Sequence, residues 1–262
     1  MGALLRDWRQ RRRLSQMNLA LAVNVSTRHL SFVETGRSRP SAELVLALAD
    51  GLEIPLRERN TLLLAAGYAP RYPVRPLDDA AMDPARDAVQ RMLDAHDPYP
   101  GVVLDRAWNI VLANKAAAAI TVGVPEELLP NVYRISLHPD GLARRTLNFP
   151  EWAEHLLQQL SRSVVLTGDP ALAALEAEVR AYPGVAEAVA AQPSPLERAP
   201  LLVPCRLDLG NGQELSLFTT LTTFGTPRDV TLDELAVELF YPADEESARL
   251  LGGRGSTAST LN

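Results

Sequence analysis

The chain has 262 residues, a net charge of −6, 47% hydrophobic residues, 15 glycines and 20 prolines. That length suits one large domain or two ordinary ones, and the apolar share is enough for packed cores. Spread-out glycine and proline exclude a collagen-like or low-complexity chain, and a single cysteine, Cys205, excludes an internal disulfide. The four histidines are scattered and none pairs with Cys205 at zinc spacing, so no metal and no cofactor is expected. No stretch reaches the ~18 uninterrupted apolar residues of a membrane helix, and Arg6 precedes any signal-like apolar run. A reducing cytoplasm is therefore the expected location, with no membrane partner.

Charge is unevenly placed. Residues 1–40 hold eight Arg and two acids, a net of +6. Residues 41–76 balance at four and four, and residues 77–262 hold 14 basic and 26 acidic residues, a net of −12. A basic head on an acidic body attracts phosphates at one end and repels them at the other. A merely solvated charged face would have the same composition, so charge alone leaves both readings open.

In chain order, residues 2–13 carry Leu4, Leu5 and Trp8 at helical spacing with Arg on the other face. Ser15 can cap a second short helix bearing Leu19, Ala20 and Val23, and Asn24 tolerates the left-handed turn that must follow. Ser26 caps a third helix over 27–35, with Leu30 and Val33 inward, and Gly36 stops it. Residues 37–40 form a loop, after which Ser41 caps a fourth helix over 42–52 with Leu44, Val45 and Leu48 apolar. Pro55 opens a fifth, running through Leu62, Leu63 and Leu64 to Gly67. The expectation is an all-α N-terminal five-helix domain over residues 1–67.

Residues 68–83 carry three prolines and are expected to be a linker. Beyond it the pattern changes. Residues 84–96 suggest a helix, then 101–104 and 108–112 a hairpin turning at Asp105-Arg106. Helices are expected over 114–122, 151–166 and 170–182, and strands over 201–208, 214–224 and 235–241. The first two of those strands are joined by the turn signal Leu209-Gly-Asn-Gly-Gln213. A short helix follows over 244–251. This order predicts an α+β domain over 84–251, a five-stranded antiparallel sheet with helices on one face. Residues 252–262, small and polar, are expected to be a disordered tail.

Ser15-Gln16, Leu19-Ala20, Val25-Ser26, Glu34-x-Gly36 and Arg39-Pro40-Ser41 occur at a joint spacing that resembles the Cro/repressor-type (xenobiotic-response-element) helix-turn-helix family. The match covers roughly residues 3–66, and Asn24 stands where glycine is usual in the turn. The resemblance implies double-stranded DNA as partner. The second helix then crosses the phosphate backbone and the third, 27–35, enters the major groove by its N-terminal end. Thr27 and Arg28 open that helix: Arg can bond bidentately to guanine, and Thr can meet a thymine methyl or a polar base edge. Phe32 either touches a thymine methyl or packs in the core, and His29 either reaches a phosphate or faces solvent. By resemblance Gln16 anchors a phosphate, and Arg37 and Arg39 are candidate phosphate contacts in the following loop. The resemblance also places Arg9 and Glu34 at positions that form an internal ion pair. A single module reads only a short half-site, so a homodimer is expected.

In the second half, Val103-Leu-Asp-Arg-Ala-Trp-Asn-Ile-Val-Leu-Ala-Asn114, Ser136-Leu-His-Pro-Asp-Gly-Leu142, Phe149-Pro-Glu-Trp152, Leu166-Thr-Gly-Asp-Pro170 and Phe224-Gly-Thr-Pro-Arg-Asp-Val-Thr-Leu232 resemble the MmyB-like regulators. Their second domain has a PAS-like sensor fold. The resemblance implies a fatty-acid-like small molecule in an apolar cavity. Arg134, His138 and Asn148 are candidates for holding its acid head, or else fix their loops by hydrogen bonds. Asn114 either caps the helix after it or touches ligand. A competing reading makes this domain a ligand-free dimerisation or docking module. Ser136, His138 and Asp140 crowd into five residues, unlike a triad converging from separate elements, so no enzyme is expected.

Overall fold

The computed structural model describes residues 1–190, 201–210 and 212–252. Contacts divide the chain into two units. The first is Met1–Asp79 with Val165–Thr167 and Gly225–Asp233; the second is Ala80–Val164, Gly168–Phe224 and the residues from Glu234 onward. The expected tail falls, from residue 253, outside the described residues.

The first unit is built on α1 (Gly2–Arg11), α2 (Gln16–Ala22), α3 (Thr27–Glu34), α4 (Ala42–Gly51) and α5 (Leu56–Ala65). Three serines start three of these helices. The hydroxyls of Ser15, Ser26 and Ser41 accept from Asn18 N at 3.0 Å, His29 N at 3.1 Å and Leu44 N at 3.2 Å. Each satisfies a donor that the first helical turn leaves unpaired. Between α2 and α3, Asn24 takes a φ of 55°, and Gly36 after α3 takes 74°. Leu5, Trp8, Leu19, Leu30, Val33, Leu48, Ile54 and Leu62 form the buried core. Leu4 and Leu64 belong to the expected apolar faces yet are 41% and 58% exposed. Each lies one residue, a rotation of about 100°, from a buried Leu5 or Leu63 on a helix with room for one inward row.

The second unit contains α6 (Asp83–His96), β1 (Gly101–Leu104), β2 (Ile110–Ala113), α7 (Lys115–Ile120), α8 (Val132–Leu137), α9 (Phe149–Thr167), α10 (Pro170–Arg180), α11 (Val185–Ala190), β3 (Cys205–Gly210), β4 (Gln213–Thr223), α12 (Val230–Glu234), β5 (Ala236–Pro242) and α13 (Glu245–Leu250). The last residues of α9 and most of α12 group with the first unit. The strands form one antiparallel sheet in the order β2-β1-β5-β4-β3, so β5, last in the chain, lies at its centre. Pairing aligns Val102, Glu238 and Leu221 across β1, β5 and β4, and Cys205 with Leu217 across β3 and β4. Alternation then puts Val102, Leu217, Glu238 and Phe240 on one face. There they meet Tyr133 and Ile135 of α8 and Trp152, Leu156 and Leu160 of α9. On the other face Leu93 and His96 of α6 approach Gly101 and Leu239 closely: a Cβ built on Gly101 would lie 3.0 Å from Leu93 and 3.1 Å from Leu239.

Strands β2 and β3 begin later than the sequence suggested. Strand β2 begins at Ile110, not at residue 108, because Trp108 takes a φ of 64° while Asp105 Oδ1 accepts from Ala107 N and Asn109 N, both at 2.8 Å. Strand β3 begins at Cys205 rather than at 201. Helix α8 was not expected; Asn131 starts it by accepting from Tyr133 N and Arg134 N.

Residues 68–79, expected as linker, contain no helix or strand but are fastened to the helices. Buried Asn60 accepts from Arg71 N and Tyr72 N at 2.9 and 3.0 Å and donates to Tyr72 O at 2.7 Å. Gly225–Asp233, from the connection between β4 and β5, joins the same unit. Arg75 pairs with Asp229 at 2.9 Å, and Val230 N donates to Pro73 O at 2.9 Å. The Thr231 hydroxyl donates to Arg75 O at 2.6 Å, and Leu56 N donates to Asp233 Oδ2 at 2.9 Å. Helix α5 is preceded by Pro55, whose side chain cannot cap; Asp233 supplies that cap from 177 residues away. Asp233→Ala should therefore weaken the first unit by about 1 kcal/mol in urea unfolding of the full chain, and Asp233→Asn should recover most of the loss.

Candidate functional site

The N-terminal half of α3 is presented to solvent. Thr27 and Arg28 are exposed, His29 and Phe32 are half-buried, and Leu30 and Val33 face the core. The Arg28 guanidinium lies 5.4 Å from the Phe32 ring centre, so the ring shelves the cation along the outer face of the helix. Arg37 and Arg39 follow and are exposed. Arg37 N and Ser38 N both donate to Phe32 O, at 2.8 and 3.1 Å, which closes the end of α3. Arg39 lies 5.4 Å from the Tyr68 ring, and Tyr68 in turn donates to Pro40 O at 2.9 Å. With Arg6, Arg11 and Arg13, six of the eight Arg in residues 1–40 are exposed.

The other two act inside the unit. Arg9 donates from Nε to Glu34 Oε1 at 2.7 Å, from Nη2 to Glu34 Oε2 at 2.9 Å and from Nη1 to Leu14 O at 2.8 Å. Gln16 donates to Glu34 Oε2 at 2.8 Å, so its side chain is tied to this buried pair at the start of α2. Burial alone would raise the Glu34 carboxyl; the hydrogen bonds from Arg9 and Gln16 and the Arg9 charge outweigh it and hold the group below its ordinary value. Arg12 donates to Leu52 O at 2.9 Å and Glu53 O at 3.1 Å, answering carbonyls at the end of α4.

In the second unit the helices and the sheet line a partly open cavity of about 260 Å³. Its wall is mostly apolar, including Val102, Trp108, Ile110, Ala117, Leu156 and Phe240. The four residues singled out as ligand contacts are not among those lining it, and each has other partners. Asn114 Oδ1 accepts from Ala117 N at 3.0 Å and Gly101 N at 3.1 Å, and its amide donates to Tyr99 O at 2.8 Å, so it caps α7 and ties it to β1. Arg134 forms two 2.8 Å bonds with Glu178 of α10. The His138 ring packs edge-on against Tyr182 at 4.8 Å and its Nδ1 accepts from Asp140 N at 3.1 Å. Asn148 accepts from Arg206 N at 3.0 Å and donates to Pro204 O at 2.8 Å. Ser136 lines the cavity, whereas the His138 ring packs against Tyr182 and its Nδ1 lies 3.9 Å from Asp140 Oδ2.

The residue the sequence reading missed is Glu238. It lines the cavity from the central strand β5, is 9% exposed, and its carboxyl is pushed up to about 7 by burial, against the pull of a hydrogen bond with Thr219. Burial, with a contribution from Glu238, raises the Cys205 thiol to about 12, and also raises the Tyr133 hydroxyl. The available signal was a lone acid in Ala236-Val-Glu-Leu-Phe240, two residues from a phenylalanine and so on the same strand face.

A family model described as the MmyB-like transcription regulator ligand binding domain matches residues 85–252, and one described as a helix-turn-helix domain matches residues 1–62. No curated protein matches the chain. No described helix is long and apolar enough to cross a membrane.

Proposed function

The chain belongs to the MmyB-like transcription regulators, a helix-turn-helix DNA-binding domain joined to a ligand-binding domain, and from this we propose a regulator whose grip on DNA is set by an apolar small molecule. The observation that carries the DNA half of this reading is the exposed start of α3, with Thr27 and Arg28 leading and Arg37 and Arg39 beside it. That end enters the major groove, where Arg28 reads a guanine edge and Thr27 a neighbouring base. Arg37 and Arg39 bind phosphate, with Gln16 and His29 near the backbone. Phe32 supports the Arg28 guanidinium and offers its outer edge to a thymine methyl. Two copies bind together, on half-sites about one helical turn apart. The protein works in the cytoplasm, where its DNA is.

The ligand half rests on the mostly apolar wall of the cavity, which suits an acyl-chain-like molecule. Such a ligand regulates only through unequal affinity for DNA-competent and DNA-incompetent arrangements. Arg134 and His138 are engaged with Glu178 and Tyr182, so among the described residues the acid head of a fatty acid finds no counter-charge inside the cavity. Fluorescence anisotropy of the full chain on a labelled duplex tests the DNA reading. Binding should fall steeply between about 50 and 200 mM salt, as phosphate contacts release counterions. Sedimentation of the complex should give two chains per site; one chain on an isolated half-site would remove the dimer.

A further inference from the structure

Among the described residues, Glu238 is the one acid lining the cavity, and no Arg, Lys or His lines it. It stands on the central strand of the sheet, opposite Val102 of β1, with Phe240 two residues on along the same face. The residue is buried there. The titratable groups felt beside it are the Cys205 thiol from β3 and the Tyr133 hydroxyl from α8, both kept neutral, and its hydrogen-bond partner is Thr219 of β4. An isolated carboxylate in such surroundings is costly. Three of the lining residues, Trp108, Trp152 and Phe240, present aromatic rings, whose faces attract cations.

We propose that Glu238 is the head-group receptor of this cavity and that its ligand is an apolar molecule carrying a protonated amine. The inference rests on the reading of the cavity as a ligand site. An ammonium group supplies the missing counter-charge in a cavity that three aromatic side chains also line. A carboxylate head meets a like charge and no cation. The apolar walls hold the remainder of the ligand by burial. Because the free Glu238 carboxyl titrates near 7, an amine that stays protonated throughout binds about tenfold more tightly at pH 8 than at pH 6, where most of the carboxyl must first lose its proton. A fatty acid shows no such gain with pH.

The test uses the full chain and three probes of equal chain length: octylamine, octanol and octanoic acid. Binding is read from the fluorescence of Trp108 and Trp152, which line the cavity, at pH 6 and pH 8. The expected order at pH 8 is amine first, with the acid weakest. Glu238→Gln keeps the shape and a hydrogen bond; it should lower amine affinity at least tenfold, abolish its pH dependence and leave octanol unchanged. The wild-type pH profile carries the test even if that variant folds poorly. Octanoic acid binding as tightly as the amine, or amine binding that ignores both pH and Glu238→Gln, overturns the head-group inference while leaving the cavity as a ligand site. Failure of all three probes to bind overturns the ligand reading itself.

Discussion

Glu34→Ala should destabilise the helical unit by about 3–5 kcal/mol, because it strands the Arg9 guanidinium in the interior between α1 and α3. The Glu34 side chain is 1% exposed and accepts from Arg9 twice and from Gln16 once. Domains of this size are stable by only about 5–15 kcal/mol, so the loss is a large share. Hydrogen exchange at the amides of α1 and α3 in the full chain reads it directly, since local opening there becomes 10²-fold or more frequent. Replacing both partners together, Arg9→Met with Glu34→Leu, should recover most of the stability, because the cost lies in the uncompensated charge. The pH dependence follows from the direction of the Glu34 shift. Its carboxyl is held below the ordinary value near 4.5 in the folded protein, so its contribution is complete above that value. It is lost as pH falls through the lower, folded value, and below it the variant and the wild type should converge.

Arg28→Ala should weaken binding to the preferred duplex by about 1–3 kcal/mol and relax the preference at one base pair. The side chain is exposed, no carboxylate among the described residues pairs with it, and the Phe32 ring holds it along the helix. It therefore reaches the groove with its orientation set in advance, which lowers the entropy cost of docking. Arg28→Lys should not restore the preference, since an ammonium cannot match two acceptors at once. Arg39→Ala should behave differently: all duplexes weaken together and the salt slope falls by about one. Anisotropy titrations of both variants against matched and mismatched duplexes separate the two roles.

What was legible in the sequence was local. Ser15, Ser26 and Ser41 could be read as caps because each bonds an amide three residues ahead, and Asn24 as a turn because its left-handed backbone is an intrinsic tolerance. The strands of the second unit followed from their apolar runs, and the pairing of Arg9 with Glu34 came through family resemblance. What was hidden depends on residues far apart in the chain. Nothing near Pro55 announces that Asp233 will cap the helix after it. The cationic and polar residues of the 134–148 region looked suited to an acid head, but Glu178, Tyr182 and the backbone of β3 claim Arg134, His138 and Asn148. Glu238 looked like an ordinary strand residue until the register with Val102 fixed which face it shares. A one-residue slip would have turned it to the other face.

The most direct measurement is enrichment of a random duplex pool by the full-length chain, followed by sequencing, with Arg28→Ala run in parallel. The account predicts a motif of two half-sites separated by about one helical turn, bound in a salt-sensitive way, with one base preference per half-site lost in the variant. A pool that emerges without any enriched sequence, or a motif that Arg28→Ala leaves unchanged, would contradict it.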